Sequence, residues 1–162
     1  MQPLHGRRTA SDLPGLDLAE QKSWESFVDA ALRLDAAMNR RLADAHRLSV
    51  IDLRVLDALL RSENRCVRMG DLADEIGSLP GHLTKRVQRL EERGLVRREK
   101  CPEDRRGVMA VLTHEGRMVA AEAAATYAQG AQADLGDSLS SAKVSVIEKY
   151  CGRITAGLRS AS

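Results

Sequence analysis

Apolar residues recur every three or four positions between Leu18 and about residue 45. Because an α-helix has 3.6 residues per turn, this spacing places them on one side of a long first helix. Residues 1–17 lack this periodicity and contain Pro, Gly and polar residues, which predicts a flexible N-terminal arm. Such a helix requires a partner surface for its apolar stripe. The stripe consists of Phe27, Ala31, Leu34, Met38 and Leu42.

A shorter amphipathic helix is predicted directly after Ser49. This residue is a suitable N-cap because a serine hydroxyl accepts a hydrogen bond from an amide in the first turn of a helix. The polar segment SENR at 62–65 ends the pattern. The apolar positions of this second helix are Ile51, Val55, Leu56, Leu59 and Leu60.

Residues 71–94 have the pattern of two short helices joined by a sharp turn. Gly77 supplies the backbone freedom that the turn requires, and Ser78 with Pro80 is expected to form the N-cap and first position of the second helix. Gly94 is placed to end that helix. The inward positions are Leu72, Ala73 and Ile76 in the first helix and Leu83, Val87 and Leu90 in the second.

The outward side of that second helix is basic and rich in hydrogen-bonding groups. A helix of this kind fits the major groove of DNA, with N-terminal side chains at base edges and later Lys and Arg at phosphates. The alternative interpretation is an ordinary helical hairpin on a protein surface. The outward residues are Gly81, His82, Thr84, Lys85, Arg86 and Arg89.

A β-hairpin is predicted after this helix. Residues 95–100 form one strand, the turn CPEDRRG follows, and 108–112 form the returning strand. At the tip, Asp104 can hold one guanidinium in place while Arg105 or Arg106 enters a narrow minor groove. A plain surface turn is the alternative for this triplet alone, but a hairpin placed after a helix-turn-helix favours a DNA-binding wing.

The C-terminal segment predicts two further helices. Thr113 is a suitable N-cap for an alanine-rich helix, which Gly130 and Gly136 are expected to interrupt. The final helix carries a narrow apolar seam at steps of three and four, and a seam of this kind packs against another helix. The first helix and the last two have more apolar surface than the small winged domain can cover, which favours pairing with a second copy of the chain. The seam consists of Val144, Ile147, Cys151, Ile154 and Leu158.

The charge distribution supports nucleic-acid binding only in combination with the pattern above. The chain has 162 residues and a net charge of +2. Residues 82–106 carry 9 Lys and Arg against 5 Asp and Glu, whereas the rest of the chain is slightly acidic. Clustered cations indicate phosphate binding, but a solvated helix face balanced by Glu91, Glu92 and Glu99 is the alternative. Aromatic residues make up 2% of the chain, so the core is aliphatic and helical.

Other classes of protein are disfavoured. The three cysteines are widely separated and form no CxxC pair, and the N-terminus has no secretory apolar segment, so we expect a reducing, cytoplasmic compartment without a disulfide framework or zinc site. No apolar run approaches the roughly 20 residues needed to span a bilayer. Nucleophile motifs, a phosphate-binding glycine loop and HExxH are missing and the histidines are scattered, so we expect no enzyme, metal or cofactor.

Three segments in order resemble the MarR family of bacterial transcription regulators: DLADEIG, RLEERGLVRR and PEDRRGVMAVLTHEGR. The resemblance runs from Trp24 to the C-terminus. It implies that 80–93 is the recognition helix, that Asp104 and Arg106 match the Asp-x-Arg motif of the family's wing, and that Arg105 adds a phosphate or minor-groove contact. Two departures concern the recognition helix. An apolar residue is usual at the position of Arg86, and Gly81 and His82 replace small hydroxyl residues.

The resemblance implies a mainly α fold with a small β-hairpin wing, in which helices from both termini form the dimer. We expect an arm at 1–17, an N-terminal dimerisation helix at 18–48, a winged helix-turn-helix DNA-binding domain at 49–113 and C-terminal dimerisation helices at 114–162. Such a homodimer binds double-stranded DNA at a palindromic operator with half-sites about 10 bp apart. The expected function is transcriptional repression that a small-molecule effector releases.

Regulation leaves alternatives open. An effector pocket between the dimer helices and the winged domain would use Trp24, Phe27, His46 and Arg47, although aromatic residues on a helical stripe are more often core. A redox sensor would use Cys101, which lies beside Arg97, Arg98 and Lys100 in sequence, whereas an incidental surface thiol is the simpler interpretation. Cys66 and Cys151 are expected to be structural. Non-specific or architectural DNA binding, RNA binding and an adaptor without nucleic-acid affinity are the remaining classes.

Overall fold

The computed structural model describes residues 15–101, 107–135 and 141–160. Over these residues the chain forms six helices and a small antiparallel sheet of three strands, which confirms the predicted fold class. Among the described helices, none is both long and apolar enough to cross a membrane. The elements are α1 (Leu18–His46), α2 (Val50–Arg61), β1 (Cys66–Arg68), α3 (Met69–Ile76), α4 (Pro80–Glu92), β2 (Val96–Lys100), β3 (Val108–Leu112), α5 (His114–Leu135) and α6 (Ser141–Ser160).

The first two helices begin with reciprocal caps. Asp17 accepts hydrogen bonds from the amides of Ala19 and Glu20, and the Glu20 carboxylate accepts the amide of Asp17 in return. Ser49 and Asp52 form the same arrangement at α2, which confirms Ser49 as the predicted N-cap. These caps fix where each helix begins because they satisfy amides that have no partner within the helix.

The helix-turn-helix is formed by α3 and α4. Gly77 has φ +69°, as the predicted turn requires, and Gly94 with φ +73° follows the end of α4. The prediction that Ser78 caps α4 was wrong, because the N-cap is Leu79, which makes no side-chain cap. Pro80 at the first helical position disfavours a helical conformation for the residue before it. The helix therefore starts directly after Leu79, and Ser78 lies one residue too early.

The sheet has the order β1, β3, β2, and both pairings are antiparallel. Strands β2 and β3 are the predicted hairpin, with Val96 opposite Leu112 and Lys100 opposite Val108. Strand β1 was not predicted. It is three residues long and lies between a turn and a helix, so it is too short to show an alternating pattern. Its pairing with β3 attaches the hairpin to the helix-turn-helix.

One aliphatic core joins α2, α3, α4, the sheet and the near side of α5. The inward residues predicted for α3 and α4 are all buried. Burying one such Leu or Val contributes about 1.5–3 kcal/mol relative to an exposed position. We call residues 49–113 the winged unit. The largest fully buried side chains of the chain are Leu42, Leu48, Leu56, Leu59, Leu72, Leu83, Leu90, Val55, Val87 and Val96.

Helix α5 packs along the C-terminal half of α1. It continues through Gly130, so the expected interruption there was wrong, while Gly136 lies outside the described residues. A Cβ at Gly130 would lie 3.0 Å from both the Met38 sulfur and an Arg41 nitrogen. The glycine therefore permits a close approach of the two helices. Arg41 and Asp134 form a two-pronged ion pair beside it, with Nη2 to Oδ1 at 2.8 Å.

Candidate nucleic-acid interface

Helix α4 presents a basic side to solvent. The buried side chains of Leu83, Val87 and Leu90 fix its rotation about its own axis. Lys85 and Arg89 are exposed and lie four positions apart, which places them one turn from each other on the same side. Within the described part of the chain, no ion pair or side-chain hydrogen bond is formed by either of them. Both cations are therefore available to phosphate groups.

The N-terminal part of this exposed side is polar and contains no Lys, Arg, Asp or Glu. Gly81, His82 and Thr84 are exposed, as the sequence predicts. The Thr84 hydroxyl donates to the carbonyl of Pro80 at 2.9 Å. Its oxygen keeps lone pairs that can accept a hydrogen bond from an outside donor.

Arg86 has a partner within the chain, in contrast to its two basic neighbours. Its Nη1 donates to the Ser49 hydroxyl at 2.9 Å and lies 3.3 Å from the Asp52 carboxylate. The guanidinium thus joins α4 to the capped start of α2 and is about one-third exposed. The sequence grouped Arg86 with the DNA-contacting residues, whereas this contact supports a role in positioning α4. The exposed position of Arg86 does not come from a rotation of α4, because the predicted inward residues of this helix are buried.

The wing is attached to the end of α4 by Glu91. Its carboxylate accepts the backbone amide of Arg98 at 2.9 Å and the Arg98 Nε at 2.7 Å. The pKa of the Glu91 carboxyl is lowered, first by the backbone hydrogen bond from Arg98 and then by the guanidinium of the same residue. Strand β2 is therefore held at a fixed position relative to the basic helix.

A second junction joins the wing to α5. The Thr113 hydroxyl lies 2.7 Å from the Gly94 carbonyl and 3.0 Å from the Leu95 carbonyl, and its oxygen accepts the amide of Gly116 at 2.9 Å. This confirms Thr113 as the cap of α5. A Cβ at Gly116 would lie only 2.0 Å from the Leu95 carbonyl oxygen, so the first turn of α5 can approach Leu95 this closely only with glycine. The base of the hairpin is therefore held to α4 by Glu91 and to the start of α5 by Thr113.

The tip of the wing carries three predicted contact residues. Asp104, Arg105 and Arg106 lie outside the described residues, so their roles remain predictions. The hairpin is closed up to its described end, where the amide of Cys101 donates to the Gly107 carbonyl at 2.9 Å.

The end of α4 is also bonded to the end of α1, which sequence analysis missed. Arg93 donates from its two terminal nitrogens to the carbonyls of Arg47 at 2.7 Å and His46 at 2.9 Å. A cation at a helix C-terminus is favourable because it meets carbonyls that have no partner within the helix. The His46 ring in turn contacts the Thr126 hydroxyl of α5 at 2.8 Å. Helices α1, α4 and α5 therefore meet at one corner.

The effector pocket predicted from the sequence does not form within one chain. Trp24 and Phe27 contact each other with ring centroids 6.3 Å apart, and both rings are largely exposed. Phe27 and His46 are separated by the length of helix between them, about 28 Å. A helix of this length keeps them too far apart to line one site, and the carbonyls of His46 and Arg47 bind Arg93 instead.

A different cavity, of about 420 Å³, lies between α2 and α5. Its wall is mostly apolar, with Leu53 and Leu60 on one side and Tyr127 on the other, while Arg54 and Asp57 add charge at α2. This size suits a small organic ligand. The sequence showed Tyr127 as one of few aromatics but gave no sign that it faces α2.

The cysteines give little support to redox chemistry. Burial raises the pKa of the Cys66 thiol above its ordinary value. Two of the three cations that suggested a reactive Cys101 are paired, Arg97 with Glu99 at 2.5 Å and Arg98 with Glu91 at 2.7 Å. Their charge is therefore shared with carboxylates. Over the residues described, no group of three or more His, Cys, Asp or Glu is arranged to hold a metal ion.

Known proteins share the sequence pattern and the architecture of this chain. The sequence profile of the MarR family matches residues 48–107. Sco3205 from Streptomyces coelicolor, a MarR family transcriptional regulator solved in complex with DNA, is 30% identical with a TM-score of 0.86 over 91% of this chain and 92% of its own. AbsC from the same organism, also a MarR family transcriptional regulator, is 29% identical with a TM-score of 0.83 over 90% and 97%.

A more distant match shows the fold alone. BpsR from Bordetella bronchiseptica, whose DNA binding is regulated by 6-hydroxynicotinic acid, is 23% identical with a TM-score of 0.75 over 86% of this chain and 96% of its own. No curated protein sequence matches the chain. Both Streptomyces relatives are named transcriptional regulators. Identity and coverage of this extent show that the chain belongs to the MarR family of transcriptional regulators.

Proposed function

We propose that the protein is a sequence-specific DNA-binding repressor that acts as a homodimer on a palindromic operator. The observation that carries this proposal is the basic side of α4, where Lys85 and Arg89 have no partner in the described chain, beside a firmly attached wing. The DNA complex of Sco3205, a relative that shares almost the whole length of the chain, supports the same use of the fold.

In this function α4 lies in the major groove of DNA. His82 and Thr84, in its N-terminal half, face base edges, and Lys85 and Arg89 bind phosphates. At the wing tip, Asp104 orients Arg106 for the minor groove and Arg105 makes a further contact. Arg86 holds α4 against α2 rather than contacting DNA.

The dimer is formed by the terminal helices, 18–48 and 114–162, while 49–113 binds DNA. The apolar seam of α6 is exposed within one chain, from 42% at Ile154 to 66% at Leu158. A large exposed apolar surface indicates a partner, and a second copy of the same helix provides a matching seam. The repressor works in the cytoplasm, where its DNA is.

The test is a titration of the purified protein against the DNA flanking its own gene at two salt concentrations, with random DNA as competitor. A short palindrome should resist competition. Lys85→Gln and Arg89→Gln each remove one cation from both protomers, so each should reduce the slope of log affinity against log salt by about 2 for the dimer–operator complex. Lys22→Gln, which removes an exposed cation from α1, should leave the slope unchanged.

Other outcomes identify other functions. Binding that follows salt but not sequence would make the protein an architectural DNA binder, and no DNA binding would make it an adaptor. Release of a bound operator by peroxide, abolished in Cys101→Ser, would establish the redox alternative.

The cavity between α2 and α5 is the second part of the proposal: we infer that it holds the effector that releases DNA. The cavity lies between α2 of the winged unit and α5 of the C-terminal dimerisation helices, so a ligand bound there can alter the relative position of these two helices. Regulation of BpsR by 6-hydroxynicotinic acid makes that compound a suitable first probe. A thermal-shift series of small aromatic acids should give stabilising ligands, and Ala124→Phe, which fills the cavity, should abolish their effect.

A further inference from the structure

Leu79 is the most exposed large hydrophobic residue of the described chain, at 68%. An exposed leucine by itself is ordinary on a protein surface. Its place is not ordinary, because Leu79 is the N-cap of α4 and so begins the helix whose basic side is proposed to enter DNA. A role for Leu79 in DNA recognition therefore rests on the proposed function.

The start of α4 is poorly suited to helix stability. Ser, Thr, Asp and Asn are preferred as N-caps because their oxygen accepts a first-turn amide, which Leu79 cannot do. Ser78 is adjacent but leaves this task undone, since its hydroxyl lies 3.5 Å from the Leu79 carbonyl. The leucine thus contributes neither a cap nor buried surface.

Gly81, two residues further on, is also unexplained by the fold. Glycine destabilises a helix relative to alanine, and a Cβ at Gly81 would find no heavy atom within 4 Å. The contrast with Gly116 and Gly130 is direct, because a Cβ there would meet close neighbours. Alanine fits at position 81, so the missing side chain clears space for something outside the chain.

The surroundings indicate what approaches this corner. A shallow groove of about 410 Å³ runs from Leu79 past Ile51 to Lys85 and Arg89. Its surface combines one protruding apolar side chain with cations about two and three turns further along α4. Duplex DNA offers the complement, since the thymine methyl is the apolar feature of the major groove and phosphates flank it.

We propose that the corner Leu79, Pro80 and Gly81 reads a thymine. The Leu79 side chain contacts the C5 methyl, and the bare Gly81 lets the base edge approach the helix. Local rules of helix stability are broken here because the corner serves recognition, which is where such violations are expected.

The experiment uses the full-length protein and an operator selected from random duplexes. Each thymine of that operator is replaced in turn by deoxyuridine, which removes only the methyl group. For the unchanged protein, one thymine in each half-site should show a loss of about fourfold, the factor that corresponds to burying one methylene-sized group. In Leu79→Ser the operator should bind more weakly, and the same replacement should have no further effect.

Weaker operator binding by these variants can be distinguished from a loss of folding stability. Serine is a better N-cap than leucine, so Leu79→Ser should melt at or above the temperature of the unchanged protein. Gly81→Ala should likewise raise the melting temperature while weakening operator binding. Gly70→Ala is its matched control, because Gly70 occupies the same second position of α3 with no heavy atom within 4 Å of its Cβ, and it should keep the dependence on the thymine methyl.

The thymine contact and the proposed function fail differently. If no duplex is bound with sequence preference, the proposed function falls and the thymine contact with it. If an operator is bound but no deoxyuridine replacement distinguishes the unchanged protein from Leu79→Ser, the thymine contact alone is overturned.

Discussion

The winged unit and the terminal helices use the same apolar periodicity with opposite results. In the winged unit, Leu56, Leu72 and Val87 are completely buried within one chain. In α6, Ile147 and Ile154 are placed by the same three-and-four spacing and remain 47% and 42% exposed. Periodicity therefore identifies the apolar side of a helix but not the surface that covers it.

The boundary between the two behaviours lies within α1. Its C-terminal half is covered by α5, so Met38 and Leu42 are buried. No described element covers its N-terminal half in this way, and Phe27 and Leu32 remain exposed. The winged unit covers its apolar residues within one chain because several short elements surround one core, whereas the long single helices leave apolar side chains exposed. Substitutions in each region can test this difference, and the largest effect is expected at the base of the wing.

Gly116→Ala should be the most damaging single change in the winged unit. The added Cβ would lie 2.0 Å from the Leu95 carbonyl oxygen and 2.9 Å from a Leu112 methyl, and both residues are buried. The backbone has to move, at a cost of about 3 kcal/mol in the free energy of unfolding. Urea denaturation measures this loss.

Gly152→Ala is the matched control in the terminal helices. A Cβ there meets no heavy atom within 4 Å, and alanine favours a helix by about 1 kcal/mol. It should be neutral or stabilising. Equal urea midpoints for the two variants would show that the junction at Gly116 is not rigid.

Ile154→Glu should weaken the dimer without unfolding the winged unit. The change puts a charge in the middle of the α6 seam, where pairing would bury it. We expect a loss of about 2 kcal/mol in association, or roughly thirtyfold in the dimer dissociation constant. Ala156→Glu adds the same charge on the opposite side of α6 and should leave the dimer intact. Sedimentation at several concentrations decides, and a stable Ile154→Glu dimer would remove α6 from the interface.

Much of the winged unit could be predicted because its signals are local. The glycines at 77 and 94, the cap at Ser49 and the hairpin strands each follow from a few adjacent residues. Strand β1 could not be predicted, since three residues carry no pattern. The cap of α4 was assigned to the wrong residue because Ser78 is chemically suitable but one position too early.

The contacts between distant segments were beyond the sequence alone. Arg93 binds carbonyls some forty-six residues away, and Arg86 binds a hydroxyl thirty-seven residues away. Neither partner is visible in periodicity or composition, because both depend on how helices cross. The predicted effector pocket is not formed within one chain, because Phe27 and His46 are nineteen positions apart on the same helix; whether two copies of the chain form it stays a prediction.

Arg86→Met separates positioning from DNA contact within α4. Methionine restores the apolar residue usual in the family and removes the bonds to Ser49 and Asp52, so stability should change by about 1 kcal/mol at most. The salt dependence of operator binding should stay as it is. Arg89→Met is the control, with unchanged stability and a slope lower by about 2, because both protomers lose the cation. A lower slope for Arg86→Met would return this residue to the DNA-contacting set.

The smallest expected effect is a dependence on pH that both regions share. The Arg98 amide and guanidinium lower the pKa of Glu91 in the winged unit, and a hydrogen bond from Arg41 lowers that of Asp134 beside α1. A carboxyl group whose pKa is lower in the folded than in the unfolded protein stabilises the fold at pH values above its unfolded pKa. This stabilisation is lost as the pH falls through the folded pKa. For Glu91 the loss should begin below about its ordinary 4.5 and stay under about 1 kcal/mol, since both partners are about one-third exposed.

Glu91→Gln and Asp134→Asn should each flatten the fall in stability at acid pH, measured by urea denaturation between pH 3 and pH 6. Only Glu91→Gln should also weaken operator binding at neutral pH, because Glu91 holds the wing strand through the Arg98 amide, whereas Asp134 joins α5 to α1 away from the wing. If both variants lowered DNA affinity equally, the position of the wing would depend on the terminal helices as much as on α4. The separation between the winged unit and the terminal helices would then be wrong.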